Sequence, residues 1–174
     1  MGQGRFHLFC QYCRLEALVF VNGLTDDLQI DSFTVTQAIH RLNGIITPAS
    51  AAHSASDLEH QLRSSGVKAL FTCASRLDIA VKAAKTVGIP QDRIFILATP
   101  DDNSKLPFTT FDDLVKEGAD LPKLEPLKWV KGQGARQVAF LCYSSGTSGL
   151  PVSAKEYCYT LTHSPMAESS YDLP

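Results

Sequence analysis

The chain has 174 residues, 44% of them hydrophobic and 20% charged, which is ordinary for a folded domain with a buried core. A formal net charge of -2 without any basic block argues against nucleic acid or an anionic membrane as the main partner. No apolar run reaches the length of a membrane span, and no secretory leader is recognised. Five scattered cysteines indicate a reducing compartment rather than a disulfide framework.

Residues 1–32 have no clean hydrophobic period and form a poorly defined N-terminal segment. The first element that the sequence predicts clearly is a helix that follows them. Four apolar residues recur at helical spacing: Val35, Ala38, Ile39 and Leu42. Gly44 is expected to cap the carboxyl end of this helix. The letters "IITP" that follow predict a short strand.

A second helix is predicted before Gly66, which ends it. Ser54 and Ser56 each stand three residues before an acid, so either serine could open a capping box. The apolar face of the helix carries Leu58 and Leu62.

Two apolar runs, "VKALFTC" and "RIFIL", read as buried strands, and a third helix lies between them. Its apolar stripe consists of Leu77, Ala80, Val81, Ala84 and Val87. Gly88 and Pro90 form a typical stop signal for this helix. Alternating strands and helices with short connections predict an α/β fold, a partial doubly wound and mostly parallel sheet flanked by helices.

Residues 98–136 are rich in Pro, Asp and Lys and are expected to form a surface excursion. It would contain one short helix, "FDDLVKEG", boxed by Thr110 and Asp113, and a packed aromatic anchor, Trp129. The run "QVAFLCY" then predicts a strand that leads into "SSGTSGLP". Residues 152–174 are expected to be a frayed tail.

The six residues after Tyr143 have the composition of an anion site. We call them the Ser/Gly segment: Ser144, Ser145, Gly146, Thr147, Ser148 and Gly149. Glycines allow successive backbone N–H groups to face one ligand, and the hydroxyls add further donors. An ordinary turn has the same composition, and neither a Gly-Lys-Ser/Thr P-loop nor a Gly-x-Gly-x-x-Gly fingerprint is present.

The stretch "YSSGTSGLP" closely resembles the phosphate-binding signature of the adenylate-forming (AMP-binding) superfamily, in particular acyl-CoA ligases of the 4-coumarate–CoA ligase type. Upstream, "AIHRLNGIITPASAAHSASDLEHQLRSSGVKALFTC" and "FDDLVKEG" are similar to segments of its N-terminal domain, so the resemblance covers about residues 33–151. It implies carboxylate activation with ATP and Mg²⁺, transfer of the acyl group to coenzyme A, and a fatty or aromatic acid as substrate. The Ser/Gly segment would hold the β- and γ-phosphates.

The sequence departs from the family pattern after Pro151. Val152 stands where the family has a lysine, and Lys155 is the nearby cation that could replace it. The family's acyl pocket and catalytic lysine have no counterpart here, so we assign no catalytic residue and expect a fragment or truncated product that is inactive alone. Unpaired sheet edges would then favour self-association. We expect a cytoplasmic location, with a peroxisomal one left open.

Two other interpretations belong to different classes of protein. A non-catalytic remnant could retain nucleotide binding or serve as an interaction module. A small zinc module could use Cys10 and Cys13 with Cys158 and His163, but these pairs are far apart in the sequence and two incidental thiols explain the Cys-x-x-Cys better. No other metal site is predicted, because the aspartate pairs at 26–27 and 112–113 are more typical of solvated loop or cap carboxylates. His40 is expected to be half-buried or on the surface.

Overall fold

The computed structural model describes residues 18–21, 28–97, 107–122, 128–143 and 153–157. The strands are β1 (Leu18–Val21), β2 (Ile46–Ala49), β3 (Ala69–Cys73), β4 (Ile94–Leu97), β5 (Thr109–Thr110), β6 (Val138–Tyr143) and β7 (Ser153–Tyr157). The helices are α1 (Leu28–Arg41), α2 (Ala55–Ser65), α3 (Leu77–Val87) and α4 (Phe111–Glu117). Short 3-10 turns precede α3 and β4, at Ala74–Arg76 and Gln91–Arg93.

The seven strands form one sheet in the order β5-β4-β3-β1-β2-β6-β7. All neighbours are parallel except β6 and β7, which form an antiparallel pair. Parallel strands need crossover connections, and α1, α2 and α3 supply three of them. The predicted fold class is therefore confirmed.

The centre of the sheet is β1, which lies inside the stretch that had no clean sequence pattern. Its Leu18 is in register with Ile46 of β2 on one side and with Ala69 of β3 on the other. A strand of four residues is too short to display a period, so only pairing with later strands identifies it.

The sheet separates two hydrophobic cores. The core beneath α1 and α4 contains Val35, Ala38, Ile39, Ile46, Ala69, Phe71, Cys73, Phe95, Leu97, Phe111 and Leu114. The core beneath α2 and α3 contains Ala49, Leu58, Leu62, Val67, Leu70, Ala80, Ala83, Ala84, Ile89 and Ile94. Because successive strand residues face opposite sides, β3 serves both cores and is completely buried.

The end of α1 corrects the expected glycine cap. Asn43, not Gly44, adopts the left-handed conformation, with φ of 62°. The N–H of Asn43 donates to the His40 carbonyl and that of Gly44 to the Ile39 carbonyl, which is the Schellman pattern. Gly44 is required for space, because a Cβ there would lie 2.7 Å from Ile39 Cγ2.

The other helix ends follow the sequence signals. The capping box of α2 uses Ser54 with Asp57, which decides between the two candidate serines, and Gly66 ends the helix at φ 65°. Gly88 ends α3 at φ 84°. The stripe of α3 is rotated slightly, because Ala83 is buried with Ala80 and Ala84 while Val81 is only partly buried.

Parts of the predicted excursion and tail join the sheet. Within residues 98–136, β5 pairs with β4, and α4 buries Phe111 and Leu114 behind a Thr110–Asp113 capping box. Trp129 was expected to be a packed anchor, but it is 41% exposed beside Val130, which is 67% exposed. Within residues 152–174, Ser153–Tyr157 form β7, because β6 offers them an open edge.

Within the described ranges, every helix falls short of the length and apolarity that crossing a membrane requires.

Candidate functional site

The candidate site is the part of the chain that connects β6 to β7. Tyr143, the last residue of β6, pairs with Ser153, the first residue of β7, and the Ser/Gly segment lies between them in the chain. Residues 144–152 themselves lie outside the described residues. Since β6 is parallel to β2, its last residue, Tyr143, lies at the edge of the sheet where the carboxyl ends of the parallel strands meet. In open α/β sheets that edge is where ligands bind.

The contact between β6 and its inner neighbour β2 is brief. The two strands meet in register at Ile46 and Phe140. Two residues further along β2, Pro48 has no N–H, and its carbonyl accepts a hydrogen bond from Gln61 Nε2 at 3.0 Å. Towards its carboxyl end, β6 therefore gains no donor from Pro48.

A buried glutamine ties α2 to β2 next to this point. Gln61 is 1% exposed, and its Nε2 also donates to Thr47 Oγ1 at 2.8 Å. Thr47 is fully buried, so both side chains satisfy part of their hydrogen-bonding need within the core. The other amide atom, Gln61 Oε1, is buried and has no hydrogen-bond partner.

Helix α2 also contacts the last residue of β6 directly. Ser64 Oγ lies 2.7 Å from Tyr143 Oη. The same Ser64 hydroxyl donates to the His60 carbonyl at 2.8 Å, so the phenol proton of Tyr143 is the one that completes the pair. This contact joins residues 79 positions apart immediately before the Ser/Gly segment.

On the opposite face, α1 contacts β6 through a histidine. His40 Nε2 lies 3.2 Å from the Ala139 carbonyl, and the ring meets Phe140 edge-on at 4.9 Å. Burial lowers the pKa of His40, and the bond to the Ala139 carbonyl opposes that shift less strongly. The neutral ring with its proton on Nε2 satisfies this geometry, because a carbonyl can only accept.

The candidate cation of the site is on β7. Lys155 is in register with Leu141 and its side chain is exposed. Paired residues share a face, and so do residues two apart, so Lys155 lies on the face of Tyr143 and α2. Val152, which stands where the family lysine would be, lies outside the described residues.

The zinc interpretation has no described atoms to support it. Its residues Cys10, Cys13, Cys158 and His163 all lie outside the described part of the chain. Among the residues that the structure does describe, no group of three or more His, Cys, Asp or Glu side chains could hold a metal. Cys73, the last residue of β3, is buried in the core.

Sequence reasoning did not find the contacts that hold β6. The Ser64–Tyr143 and Gln61–Thr47 pairs join different elements, and no local pattern marks them. The one available signal was the polar Gln61 between Leu58 and Leu62 on the buried face of α2.

Comparison with known proteins gives the chain its family. The model of a family described as "AMP-binding enzyme" matches residues 28–153. The chain belongs to the AMP-binding enzyme family. The match starts at α1, includes the Ser/Gly segment and ends at the first residue of β7. The resemblance noted from the sequence is thereby confirmed.

Proteins similar to this chain include acyl-CoA ligases. The chain is 38% identical over 133 residues to the acyl-CoA ligase cm3C of Cordyceps militaris, covering 72% of this chain and 21% of that protein. It is 42% identical over 123 residues to the acyl-CoA ligase AFT1-1 of Alternaria alternata, covering 69% of this chain and 21% of the relative. The chain thus spans about a fifth of the length of these curated relatives.

Solved structures of adenylate-forming enzymes share the fold. The anthranilate CoA ligase AuaEII in complex with anthranoyl-AMP superimposes with a TM-score of 0.70 at 18% identity, over 92% of this chain and 29% of that one. A natural red-emitting luciferase from Phrixothrix hirtus gives a TM-score of 0.69 at 15% identity, over 92% of this chain and 29% of that one. At such sequence identities the likeness shows the fold alone.

Proposed function

We propose that these residues serve an adenylate-forming acid–thiol ligase, in which the Ser/Gly segment holds the β- and γ-phosphates of ATP. The enzyme would activate a fatty or aromatic carboxylic acid as an acyl-adenylate and pass the acyl group to coenzyme A. The observation that carries the proposal is the AMP-binding family match across residues 28–153, which contains the segment. The printed names of the relatives, acyl-CoA ligases and an anthranilate CoA ligase, support the substrate class.

The chemistry of Ser144–Gly149 supports the assignment of the phosphate site. Four of its side chains carry hydroxyl donors, and its two glycines let backbone N–H groups approach an anion closely. Each hydrogen bond to a charged phosphate contributes about 1.5–3 kcal/mol. ATP with Mg²⁺ is the cofactor that suits this donor set, and Mg²⁺ would be held mainly by the phosphates.

Lys155 is the cation that we assign to the phosphate tail in place of the family lysine. Its position on β7 leaves it exposed on the face of Tyr143. Compared with a lysine inside the turn, a cation on the strand would interact with the phosphates more weakly, because solvent screens an exposed charge. We therefore expect weaker ATP binding than a turn lysine would give.

The functional unit is proposed to be residues 33–151 with its excursion at 98–136, completed by β1 and β7 of the same sheet. Because the chain spans about a fifth of its relatives, a polypeptide of these 174 residues should bind nucleotide without completing the ligase reaction. A cytoplasmic location is proposed with it, a peroxisomal one remaining open.

Thermal unfolding with Mg·ATP tests the phosphate site. Ligand that binds the folded state raises the melting temperature by mass action, so Mg·ATP should stabilise the unaltered chain. Thr147→Val removes one hydroxyl donor without changing side-chain size and should reduce that rise. Thr86→Val is the matched control, because Thr86 is exposed and its hydroxyl bonds within α3. A chain that Mg·ATP does not stabilise would contradict the proposal.

The exchange of pyrophosphate into ATP tests activity separately. With a panel of fatty and aromatic acids, the 174-residue polypeptide should show no turnover. Measurable exchange would mean that it carries a working adenylation site by itself.

The alternative function is a non-catalytic interaction module. It is favoured by β7, which ends the sheet order and leaves one strand edge without a neighbouring strand among the described residues. Such an edge can pair with a second copy. Sedimentation over a wide range of protein concentration would then show reversible self-association, together with no effect of Mg·ATP on stability.

A further inference from the structure

The turn that precedes β6 leaves two large apolar side chains in solvent. Trp129, which the sequence predicted to be a packed anchor, is 41% exposed, and the next residue, Val130, is 67% exposed. Three cations lie in the same stretch, residues 128–136, which we call the basic turn: Lys128, Lys131 and Arg136. Adjacent apolar residues rimmed by charged ones mark a surface that contacts a protein or a membrane.

The basic turn is held in one conformation by its own hydrogen bonds. The Gln133 N–H donates to the Val130 carbonyl at 3.0 Å, and the Val130 N–H donates to Gln133 Oε1 at 3.1 Å. The Gln133 carbonyl accepts the Arg136 N–H at 2.9 Å. Gly132 supplies a left-handed residue, with φ of 79°. The exposure of the apolar pair is therefore a property of an ordered turn.

The charges of the basic turn have one sign. Its three cations are exposed, and none of them is in an ion pair among the residues that the structure describes. Arg136 Nη1 lies 3.5 Å from where a Cβ at Gly132 would be, so this guanidinium stays against the turn. No acidic residue occurs between residues 126 and 155. Because salt screens charges over about 10 Å, an anionic surface at the turn interacts mainly with these nearest cations.

The basic turn lies at the opposite end of β6 from the candidate site. It precedes Val138, the first residue of β6, and β6 is parallel to β2, so the turn is at the amino ends of the parallel strands. The candidate site follows Tyr143 at the carboxyl end. A partner bound at the turn therefore leaves the ligand-binding edge of the sheet open.

We propose that the basic turn attaches the protein reversibly to an anionic membrane surface. Trp129 and Val130 enter the headgroup region of the lipid, and the three cations pair with acidic headgroups. Tryptophan is favoured in that region because its ring combines an apolar body with one N–H donor. The contact is weak, since three charges and two side chains are few and the whole chain has a net charge of -2.

A membrane fits the basic turn better than a nucleic acid does. Single-stranded nucleic acids are bound through aromatic rings on which bases stack, together with a charged groove. Here the more exposed of the two apolar residues is Val130, which has no ring face to offer a base. Lipid instead accepts aliphatic and aromatic side chains alike. The proposal is independent of the proposed function, because the turn does not involve the phosphate site.

Trp129 is the only tryptophan of the chain, so its fluorescence reports directly on the basic turn. Vesicles of equal parts phosphatidylcholine and phosphatidylserine should shift its emission to shorter wavelength, and lipids brominated on the acyl chains should quench it. Vesicles of phosphatidylcholine alone should bind about tenfold more weakly or less, and high salt should release the protein. Emission that neither kind of vesicle changes would overturn the proposal.

Substitutions in the turn test each part of the contact by co-sedimentation with the anionic vesicles. Lys131→Gln and Arg136→Gln should each weaken binding about fivefold, the effect of one charge at an anionic surface. Val130→Ser should also weaken binding, because it removes apolar surface while leaving the charges in place. All three residues are exposed, so the melting temperature should stay that of the unaltered chain.

Two matched controls lie outside the basic turn. Phe33 is an aromatic residue of α1 that is 66% exposed, and Lys82 is an exposed lysine that lines a cavity beside the start of α2. Phe33→Ala and Lys82→Gln should bind the vesicles as the unaltered chain does. A control that loses as much affinity as Lys131→Gln would contradict a contact localised at the turn.

Two further results would give the turn a different partner and overturn the proposal. If Val130→Ser binds the vesicles as tightly as the unaltered chain, the contact is by charge alone, and displacement by a single-stranded oligonucleotide would identify a polyanion site. If the Trp129 emission shifts with protein concentration in the absence of vesicles, a second copy of the chain covers the turn.

Discussion

His40 connects α1 to β6, and its protonation is linked to the stability of the fold. Its Nε2 proton faces the Ala139 carbonyl, and its ring contacts Phe140. Burial lowers its pKa below the ordinary value of 6.5. The folded protein therefore resists a proton that the unfolded chain accepts readily.

This linkage predicts acid destabilisation. As the pH falls below about 6.5, the unfolded chain protonates His40 first, so the free energy of unfolding decreases until the lower native pKa is passed. At pH 7.5 and above, His40 is neutral in both the folded and the unfolded chain, so the free energy of unfolding no longer changes with its protonation. His40→Gln keeps a donor for Ala139 but does not titrate, so urea unfolding at a series of pH values should give it a shallower decline. Parallel curves for the two proteins would contradict the linkage.

The structure leaves no space for a side chain at Gly44. Gly44→Ala would bring its Cβ within 2.7 Å of Ile39 Cγ2 and 3.2 Å of the Ile39 carbonyl, and Ile39 is fully buried. We expect a loss of about 1–3 kcal/mol in urea unfolding.

Ile39→Leu tests the cause of that loss, because leucine lacks the methyl group in the clash. The double variant should lose less than the sum of the two single variants. If the stability losses of the two single variants simply add, the clash at Gly44→Ala is relieved by a change in the structure away from the Ile39 side chain.

At the scale of elements, the two capping boxes set the starts of α2 and α4. In each box the cap hydroxyl and backbone N–H donate to an aspartate, and these bonds lower the pKa of both Asp57 and Asp113. Thr110 is both the last residue of the two-residue strand β5 and the cap of α4, so this box also fixes the end of the sheet to the helix.

Thr110→Ala should raise the pKa of Asp113 part of the way towards 3.8, because the hydroxyl donor is lost and the backbone donor remains. Loss of the cap should also cost about 1 kcal/mol of stability. An NMR titration of the side-chain carboxyls measures the first effect, with Asp57 as the internal control. Thr110→Ser should leave both quantities unchanged, and an unaltered Asp113 pKa in Thr110→Ala would contradict the assignment.

The elements that the sequence predicts well are those with local signals. The box at Thr110 and the glycines at the ends of α2 and α3 each act within a few residues, so the sequence shows them directly. Strands β1 and β7 have no such signal, since they are defined by the partners that they pair with. The same applies to the site: the Ser/Gly segment is a contiguous pattern, whereas its contact with Ser64 depends on the fold.

At the scale of the molecule, one sheet supports two cores, and β3 belongs to both. Phe71 faces the α1 side, where it stacks on Phe95 at 5.0 Å, while Leu70 faces the α2 side. The α/β class followed from alternating strands and helices. The strand order did not, because nothing in the sequence states that β1 pairs between β2 and β3.

Because both cores share their central strands, damage on one face should weaken the whole domain. Phe71→Ala should cost about 3–5 kcal/mol, with far-UV circular dichroism and aromatic fluorescence reporting one coincident transition. Phe33→Ala is the matched control, since Phe33 is 66% exposed and its loss should cost about 0.5 kcal/mol. Equal losses, or two separate transitions, would contradict a shared core.

The position of Leu18–Val21 determines where the boundaries of a recombinant piece of this protein should be placed. Boundaries drawn at the family match, residues 28–153, would discard the strand that joins Ile46–Ala49 to Ala69–Cys73. The remaining strands would separate into two ribbons, each with a newly exposed apolar edge. A recombinant piece beginning at residue 28 should therefore precipitate, and one that retains residue 18 onwards should stay in solution.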